Sequence, residues 1–190
     1  MPRFATHYHL PDRAPFLNLS ELGEDELASV LAGLDSVAST RRSARRFGPR
    51  YMALRRATEH VLRERFIAAG GKPVRYSPHY FVLGESEWFR GLYGDAGEVR
   101  ISLGDLPAAA TSCTYPDSVT SMGLLEHFGF PTFPQPYHGQ VFRLEELAAV
   151  IDRYGLPGTP RPDSYEGHQR QSFEHYIEIQ LWTDDVPAMR

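Results

Sequence analysis

The stretch His175-Tyr-Ile-Glu-Ile-Gln-Leu-Trp182 decides how this chain is interpreted, because apolar residues alternate in it with polar and aromatic ones. Such alternation predicts a β-strand with two different faces. One face carries Ile177, Ile179 and Leu181, and the other carries Tyr176, Glu178, Gln180 and Trp182. A carboxylate between aromatic side chains is shielded from water, which raises its pKa and suits it to chemistry. Two interpretations are open: the second face is the wall of a cleft, or the segment is an edge strand with a solvated face.

The composition is typical of one globular domain. The chain has 190 residues, of which 42% are hydrophobic and 23% charged, with a net charge of −4. This net charge argues against nucleic-acid binding by bulk charge alone. The sequence shows neither a membrane-spanning apolar run nor a signal-peptide pattern, so we expect a cytoplasmic protein without a membrane partner. Its single cysteine, Cys113, excludes an internal disulfide and a Cys-based zinc site, and we expect a buried thiol.

Hydrophobic periodicity predicts an α+β fold, with about six short strands in a split or strongly bent sheet and about four helices. The strands are predicted at residues 4–10, 79–83, 98–103, 111–115, 140–144 and 175–182. The helices are predicted at residues 24–34, 49–69, 118–128 and 144–154. Asp117 is expected to cap the third helix, and Pro116 to hold Tyr115 extended. Residues 155–172 show no periodicity, and a loop of that length is usually functional or disordered.

Residues 41–65 form the most basic segment. Its arginines are Arg41, Arg42, Arg45, Arg46, Arg50, Arg55, Arg56, Arg63 and Arg65, and its acidic residues are Glu59 and Glu64. The segment fits either a solvated helix face or a surface that binds phosphate groups, since guanidinium groups pair with phosphates in bidentate fashion. In the second case it would meet a nucleic acid or another anionic acceptor.

Several common sites are not indicated. The sequence contains no Gly-x-Gly-x-x-Gly after a strand, no Walker loop and no Gly-x-Ser-x-Gly elbow. His7 and His9 share one face of the first predicted strand, but the other histidines lack the spacing that would complete a metal site. We therefore expect no metal.

Short segments resemble the ADP-ribosyltransferase fold, and most closely the DarT group that modifies DNA bases. The similar segments are His9-Leu-Pro-Asp-Arg-Ala14, Ser77-Pro-His-Tyr-Phe81, Glu98–Leu106, Thr114-Tyr-Pro-Asp117, Tyr176-Ile-Glu-Ile-Gln-Leu181 and Val186-Pro187. The chain departs from the family pattern at Pro11, where the family has Thr, and after Asp117, where a His is usual. Tyr176 stands where other transferases of this fold have Gln.

The resemblance implies an enzyme that cleaves the nicotinamide glycosidic bond of NAD and transfers ADP-ribose to a nucleic-acid base or another acceptor. It implies that Glu178 is the catalytic glutamate and that one arginine among Arg41, Arg42, Arg45 and Arg46 positions NAD, for which we choose Arg46. The residues it implies as NAD contacts are His9, Tyr80, Arg42, Arg45 and Tyr115. It also implies that residues 155–172 recognise the acceptor.

Two alternatives stay open beside the transferase. A small-molecule enzyme of another class would use His7 or His9 with Glu178 as an acid–base pair. A non-catalytic protein would bind an acidic partner through residues 41–65. The oligomeric state is not indicated.

Overall fold

The computed structural model describes residues 1–40, 49–87, 90, 96–124, 126, 134–157 and 176–187. They contain the strands β1 Phe4–His9, β2 His79–Leu83, β3 Gly97–Ser102, β4 Thr111–Thr114, β5 Phe142–Arg143 and β6 Glu178–Leu181. The α-helices are α1 Glu24–Thr40, α2 Pro49–Ala68, α3 Ser118–Ser121 and α4 Leu147–Tyr154. Short 3-10 turns lie at Leu19–Glu21, Leu103–Asp105, Ala108–Ala110 and Leu144–Glu146. The predicted α+β class, with six strands and four helices, is confirmed.

The six strands form one open sheet in the order β3-β1-β2-β6-β4-β5, and every neighbouring pair is antiparallel. The last strand in the sequence, β6, lies in the interior of the sheet and pairs with β2 on one side and β4 on the other. The interpretation of this segment as an edge strand is therefore wrong.

The register assigns side chains to two faces, because directly opposite residues of antiparallel strands point to the same side. Phe81 and Cys113 both lie opposite Ile179, and these side chains belong to the larger hydrophobic core. Leu147 and Val150 of α4 complete that core, so we call this side of the sheet the α4 face.

The other side of the sheet is covered by α2. Leu62 and Phe66 of this helix pack with Trp182 and Met122 in a second, smaller hydrophobic cluster. We call this side the α2 face. Tyr80 and Ser112 lie opposite Gln180, and Val82 and Thr114 lie opposite Glu178, so all these side chains belong to it.

Helix α2 has the start and end that its sequence predicts. Pro49 is its first residue, where the missing N–H is not needed. Gly70 follows the helix at φ +91°, and the N–H groups of Gly70 and Gly71 bond to Ile67 O and Phe66 O. These two bonds form a Schellman motif, which satisfies the last carbonyls of the helix.

The bounds of several predicted elements differ from the structure: the first helix extends to Thr40 and not to residue 34, and the last begins at Leu147 and not at residue 144. The helix predicted at 118–128 is described as α-helix only over Ser118–Ser121, with residues 125 and 127–133 outside the described part. Most of the predicted loop, from residue 158 onward, also lies outside the described residues. No described helix is both long and apolar enough to span a membrane.

Candidate functional site

The carboxyl group of Glu178 is buried on the α2 face, with only 8% of the residue exposed. Its pKa is raised to about 7, first because burial removes water from the carboxylate and second because the Asp117 carboxylate is close. Hydrogen bonds from Ser118 and Gln180, and the positive charge of Arg55, oppose this rise. Glu178 can therefore exist in both protonation states near neutral pH, as a group in acid–base or electrostatic catalysis requires.

A hydrogen-bonded chain of side chains leads away from Glu178 along β6 and β4. Gln180 Nε2 donates to Glu178 Oε1 and to Thr114 Oγ1, at 3.0 Å each. Ser112 Oγ donates to Gln180 Oε1 at 2.8 Å and accepts from Trp182 Nε1 at 2.8 Å. All of these side chains are buried. We call Trp182, Ser112 and Gln180 together the Gln180 chain.

Helix α2 contributes an ion pair to the same face. Glu59 is 3% exposed, and its Oε1 accepts from Arg55 Nε at 3.0 Å and from Tyr80 Oη at 3.1 Å. Its Oε2 accepts from Ser77 Oγ at 3.0 Å. The Arg55 guanidinium also lies 4.7 Å from the centre of the Tyr80 ring. Burial, reinforced by the Glu59 carboxylate, raises the pKa of Tyr80 well above its ordinary value, so its phenol stays neutral.

Arg55 connects three parts of the chain. It donates to Ser20 Oγ at 3.1 Å, to Tyr51 Oη at 3.3 Å and to Asn18 Oδ1 at 3.4 Å. Asn18 Nδ2 in turn donates to Pro78 O at 3.0 Å, just before β2. The guanidinium is therefore held by the residues before α1, by its own helix and by the start of β2.

Sequence reasoning did not single out Arg55 and Glu59. Both lie in the basic segment 41–65, but they were not separated from its other charged residues. Their positions in the sequence could have identified them, because they are one helical turn apart on the side of α2 that also carries buried Thr58 and Leu62. A pair of opposite charges within a buried stripe predicts a buried ion pair.

Asp117 caps helix α3, as predicted. Its Oδ1 accepts from Thr120 N at 3.0 Å, and its Oδ2 accepts from Thr120 Oγ1 at 2.7 Å. Burial raises the pKa of Asp117 despite these hydrogen bonds. Ser118, the next residue, bonds to Glu178, so the start of α3 places both a carboxylate and a hydroxyl beside the candidate catalytic group.

The residues expected to contact NAD are only partly brought together. Tyr80 shares the α2 face with Glu178. His9 lies on the α4 face, because it alternates in phase with Ala5, which is paired with Leu83 in the larger core. Its Nδ1 lies 2.9 Å from Leu10 O and 3.0 Å from Arg13 O, so it supports the turn after β1.

Tyr115 also lies away from Glu178. It is buried in the α4-face core, where its ring centre is 4.5 Å from that of Tyr137. Its hydroxyl donates to Tyr154 O at 3.2 Å. The constellation of His9, Tyr80, Tyr115 and Glu178 expected from the resemblance is therefore not formed: two of these residues are on each side of the sheet.

His7 is a structural residue of the α4 face. Its Nε2 accepts from Phe16 N at 3.0 Å, so its Nδ1 carries the proton and donates to Tyr80 O at 2.8 Å. Burial lowers the pKa of His7 to about 4. Because His7 and His9 both face away from Glu178, the expected histidine–glutamate acid–base pair is not formed.

The remaining predicted site residues, Arg42, Arg45 and Arg46, lie outside the described residues, and their roles stay predictions. The residues that the structure does describe include no group of three or more His, Cys, Asp or Glu side chains placed to hold a metal ion. Cys113 is buried, as expected, and burial raises the pKa of its thiol.

The chain matches no protein-family model, no curated protein and no solved structure at a significant level.

Proposed function

We propose that this protein is an NAD-dependent ADP-ribosyltransferase-like enzyme in which Glu178 is the catalytic carboxylate. The observation that carries the proposal is the setting of Glu178, on an interior strand with hydrogen bonds from Gln180 and Ser118 and a pKa raised to about 7. When the bond between nicotinamide and ribose breaks, positive charge develops on the ribose. A fixed carboxylate beside that centre stabilises the charge, and more strongly in a site with little water.

The α2 face supplies two further groups that suit this chemistry. Arg55 favours the ionised form of Glu178 by its positive charge, which is the form that stabilises an oxocarbenium-like centre. Tyr80 is held by Glu59 and Arg55 and presents a neutral phenol on the same face. We infer that contacts to NAD come from this face and not from His9 or Tyr115, which are on the other side of the sheet.

The acceptor in this proposal is a nucleic-acid base or another anionic molecule. Its support is the local charge of α2, where Arg50, Arg56 and Arg65 are exposed although the chain as a whole is acidic. Guanidinium groups at exposed positions of one helix attract phosphates over a short range, although the net charge of the chain is negative.

The test is release of nicotinamide from NAD by the wild type, Glu178→Gln and Glu64→Gln, each with a DNA oligonucleotide as candidate acceptor. Glu64 is exposed on α2 and serves as the control. Removing the charge at Glu178 should lower turnover by about 100-fold or more, whereas Glu64→Gln should leave it unchanged. NAD should still raise the unfolding temperature of Glu178→Gln, because the amide keeps the shape of the site.

A folded wild type that releases no nicotinamide and gains no thermal stability at millimolar NAD would overturn the proposal.

A small-molecule enzyme of another class is the second candidate, favoured by the closeness of the Asp117 and Glu178 carboxyls. Two neighbouring carboxyls keep one proton between them, so one can act as acid and the other as base. This candidate predicts loss of activity in Glu178→Gln but no thermal shift with NAD.

A further inference from the structure

Trp182 sets the direction of the hydrogen bonds that reach Glu178. Its indole Nε1–H can only donate, and it lies 2.8 Å from Ser112 Oγ, which must therefore accept. The single proton of Ser112 is then directed to its other partner, Gln180 Oε1, at 2.8 Å. The direction of the first bond follows from the chemistry of the indole, and that of the second follows because Ser112 Oγ has no third hydrogen-bond partner among the described residues to take its proton.

The orientation of the Gln180 amide follows from the same argument. Since Oε1 accepts from Ser112, Nε2 is the atom that faces Thr114 Oγ1 and Glu178 Oε1, at 3.0 Å each. A primary amide nitrogen has two hydrogens and both are donated here. Glu178 Oε1 must therefore accept a hydrogen bond in either protonation state, and any proton that Glu178 carries lies on Oε2.

We propose that Gln180 is the positioning residue of Glu178. It is the last member of a hydrogen-bond chain that runs in one direction, from Trp182 through Ser112. Gln180 holds Oε1 of Glu178, so Oε2 is the oxygen that gains and loses the proton. The catalytic meaning of this arrangement rests on the proposed function, whereas the direction of the chain does not.

Other groups also face Glu178 and have to be held constant in a test. They are Asp117 and Ser118 at the start of α3, Arg55 on α2 and Tyr80 on β2, with Glu59 behind Tyr80. None of them belongs to the Gln180 chain. A change in the titration of Glu178 after substitution of Ser112 or Gln180 therefore reports on the chain.

The test is a pH titration of the Glu178 side-chain carbon by NMR, in protein labelled with 13C-glutamate and assigned with Glu178→Gln. Gln180→Met removes the donor to the charged form and should raise the titration midpoint by about one pH unit. Ser112→Ala should raise it by a smaller amount, because the Gln180 amide is then free to turn its oxygen toward Glu178 and accept the proton of the neutral acid. The matched control is Ser121→Ala: Ser121 is equally buried, and its Oγ has no hydrogen-bond partner among the described residues.

An unchanged midpoint in Ser112→Ala, or an equal rise in Ser121→Ala, would overturn the proposal. If Gln180→Met does not fold, Trp182→Phe takes its place. This variant should give a smaller rise of the midpoint, since Ser112 is then free to reverse its hydrogen bonds. A midpoint that stays at the wild-type value would contradict the proposed chain. These measurements need no NAD. If the midpoints move as expected but no variant or wild type releases nicotinamide, the proposed function fails and the chain stands.

Discussion

Glu178 is a carboxylate in surroundings that disfavour its charge. Burial and the nearby Asp117 raise its pKa from 4.5 to about 7. A shift of this size means that ionising Glu178 in the folded protein costs about 3 kcal/mol more than in the unfolded chain. An uncharged amide at this position would not carry this cost and could still accept the hydrogen bond from Gln180. A carboxylate kept at this cost fits the catalytic role proposed for Glu178.

This cost predicts that Glu178→Gln stabilises the protein, and more so at higher pH. The folded state holds the proton of Glu178 more tightly than the unfolded chain does. Its contribution to stability is therefore complete below pH 4.5 and is lost as the pH rises through about 7. The free energy of unfolding of Glu178→Gln minus that of the wild type should grow by about 2–3 kcal/mol from pH 5 to pH 8.

Urea unfolding of both proteins at several pH values measures this difference. Comparing the two proteins cancels the titration of His7 and His79, whose pKa values are lowered to about 4 by burial and which both proteins contain. A difference that stays constant over this range would show that Glu178 is not destabilised by its charge.

At the scale of elements, α2 meets the sheet partly through polar groups, beside the hydrophobic contact of Leu62 and Phe66 with Trp182. The buried Glu59 forms an ion pair with the largely buried Arg55, whose side chain is 19% exposed, and Tyr80 and Ser77 provide further hydrogen bonds to Glu59. Removing one charge of such a pair lowers the free energy of unfolding strongly, because the other charge is then left buried and unpaired.

The pair therefore predicts strong non-additivity. Arg55→Met and Glu59→Gln should each lower the free energy of unfolding by about 3–5 kcal/mol, while the double variant should lose clearly less than the sum. His60 and Glu64 are the matched control, since they form an exposed pair with the same spacing on the same helix. Their double-mutant cycle should give about 0.5 kcal/mol or less. Equal coupling energies in the two cycles would contradict the buried pair.

Most of the elements could be predicted from the sequence, because alternation and helical periodicity are local. Strand β2 was predicted with its observed bounds, and β1, β3 and β4 differ by one residue at one or both ends. Two strands were predicted too long by more than one residue: β5 contains only Phe142–Arg143, and β6 only Glu178–Leu181. The residues just beyond such a strand keep the alternating sequence pattern although they no longer pair with a neighbouring strand.

The position of β6 in the sheet could not be predicted in the same way. Its polar face has the pattern of a solvated face, but helix α2 covers it through the buried Glu59 and through Leu62 and Phe66, which pack on Trp182. Similarly, the pattern shows that His7 and His9 share a face, but not that it is opposite to the face of Glu178. That relation depends on the register of β1, β2 and β6, which is set by packing between segments far apart in the sequence.

At the scale of the whole molecule, the sheet separates a hydrophobic side from a side that carries the candidate chemistry. The α4 face holds the larger core, which includes Cys113, Tyr115 and Ile179. The α2 face holds Glu178, the Gln180 chain and the Arg55–Glu59 pair, beside a small cluster around Trp182. Substitutions in the hydrophobic clusters of both faces should therefore lower stability, but only those on the α2 face should change the titration of Glu178.

Leu147→Ala on the α4 face and Leu62→Ala on the α2 face test this separation. Both leucines are almost fully buried, so each substitution should lower the free energy of unfolding by about 2–5 kcal/mol. Leu62 packs beside Trp182, and a cavity there should let water approach the Gln180 chain and lower the pKa of Glu178 toward its ordinary value. Leu147→Ala should leave that pKa unchanged, because the whole sheet lies between Leu147 and Glu178. Urea unfolding gives the first quantity and the NMR titration the second, and an equal pKa change in both variants would show that the two faces are coupled.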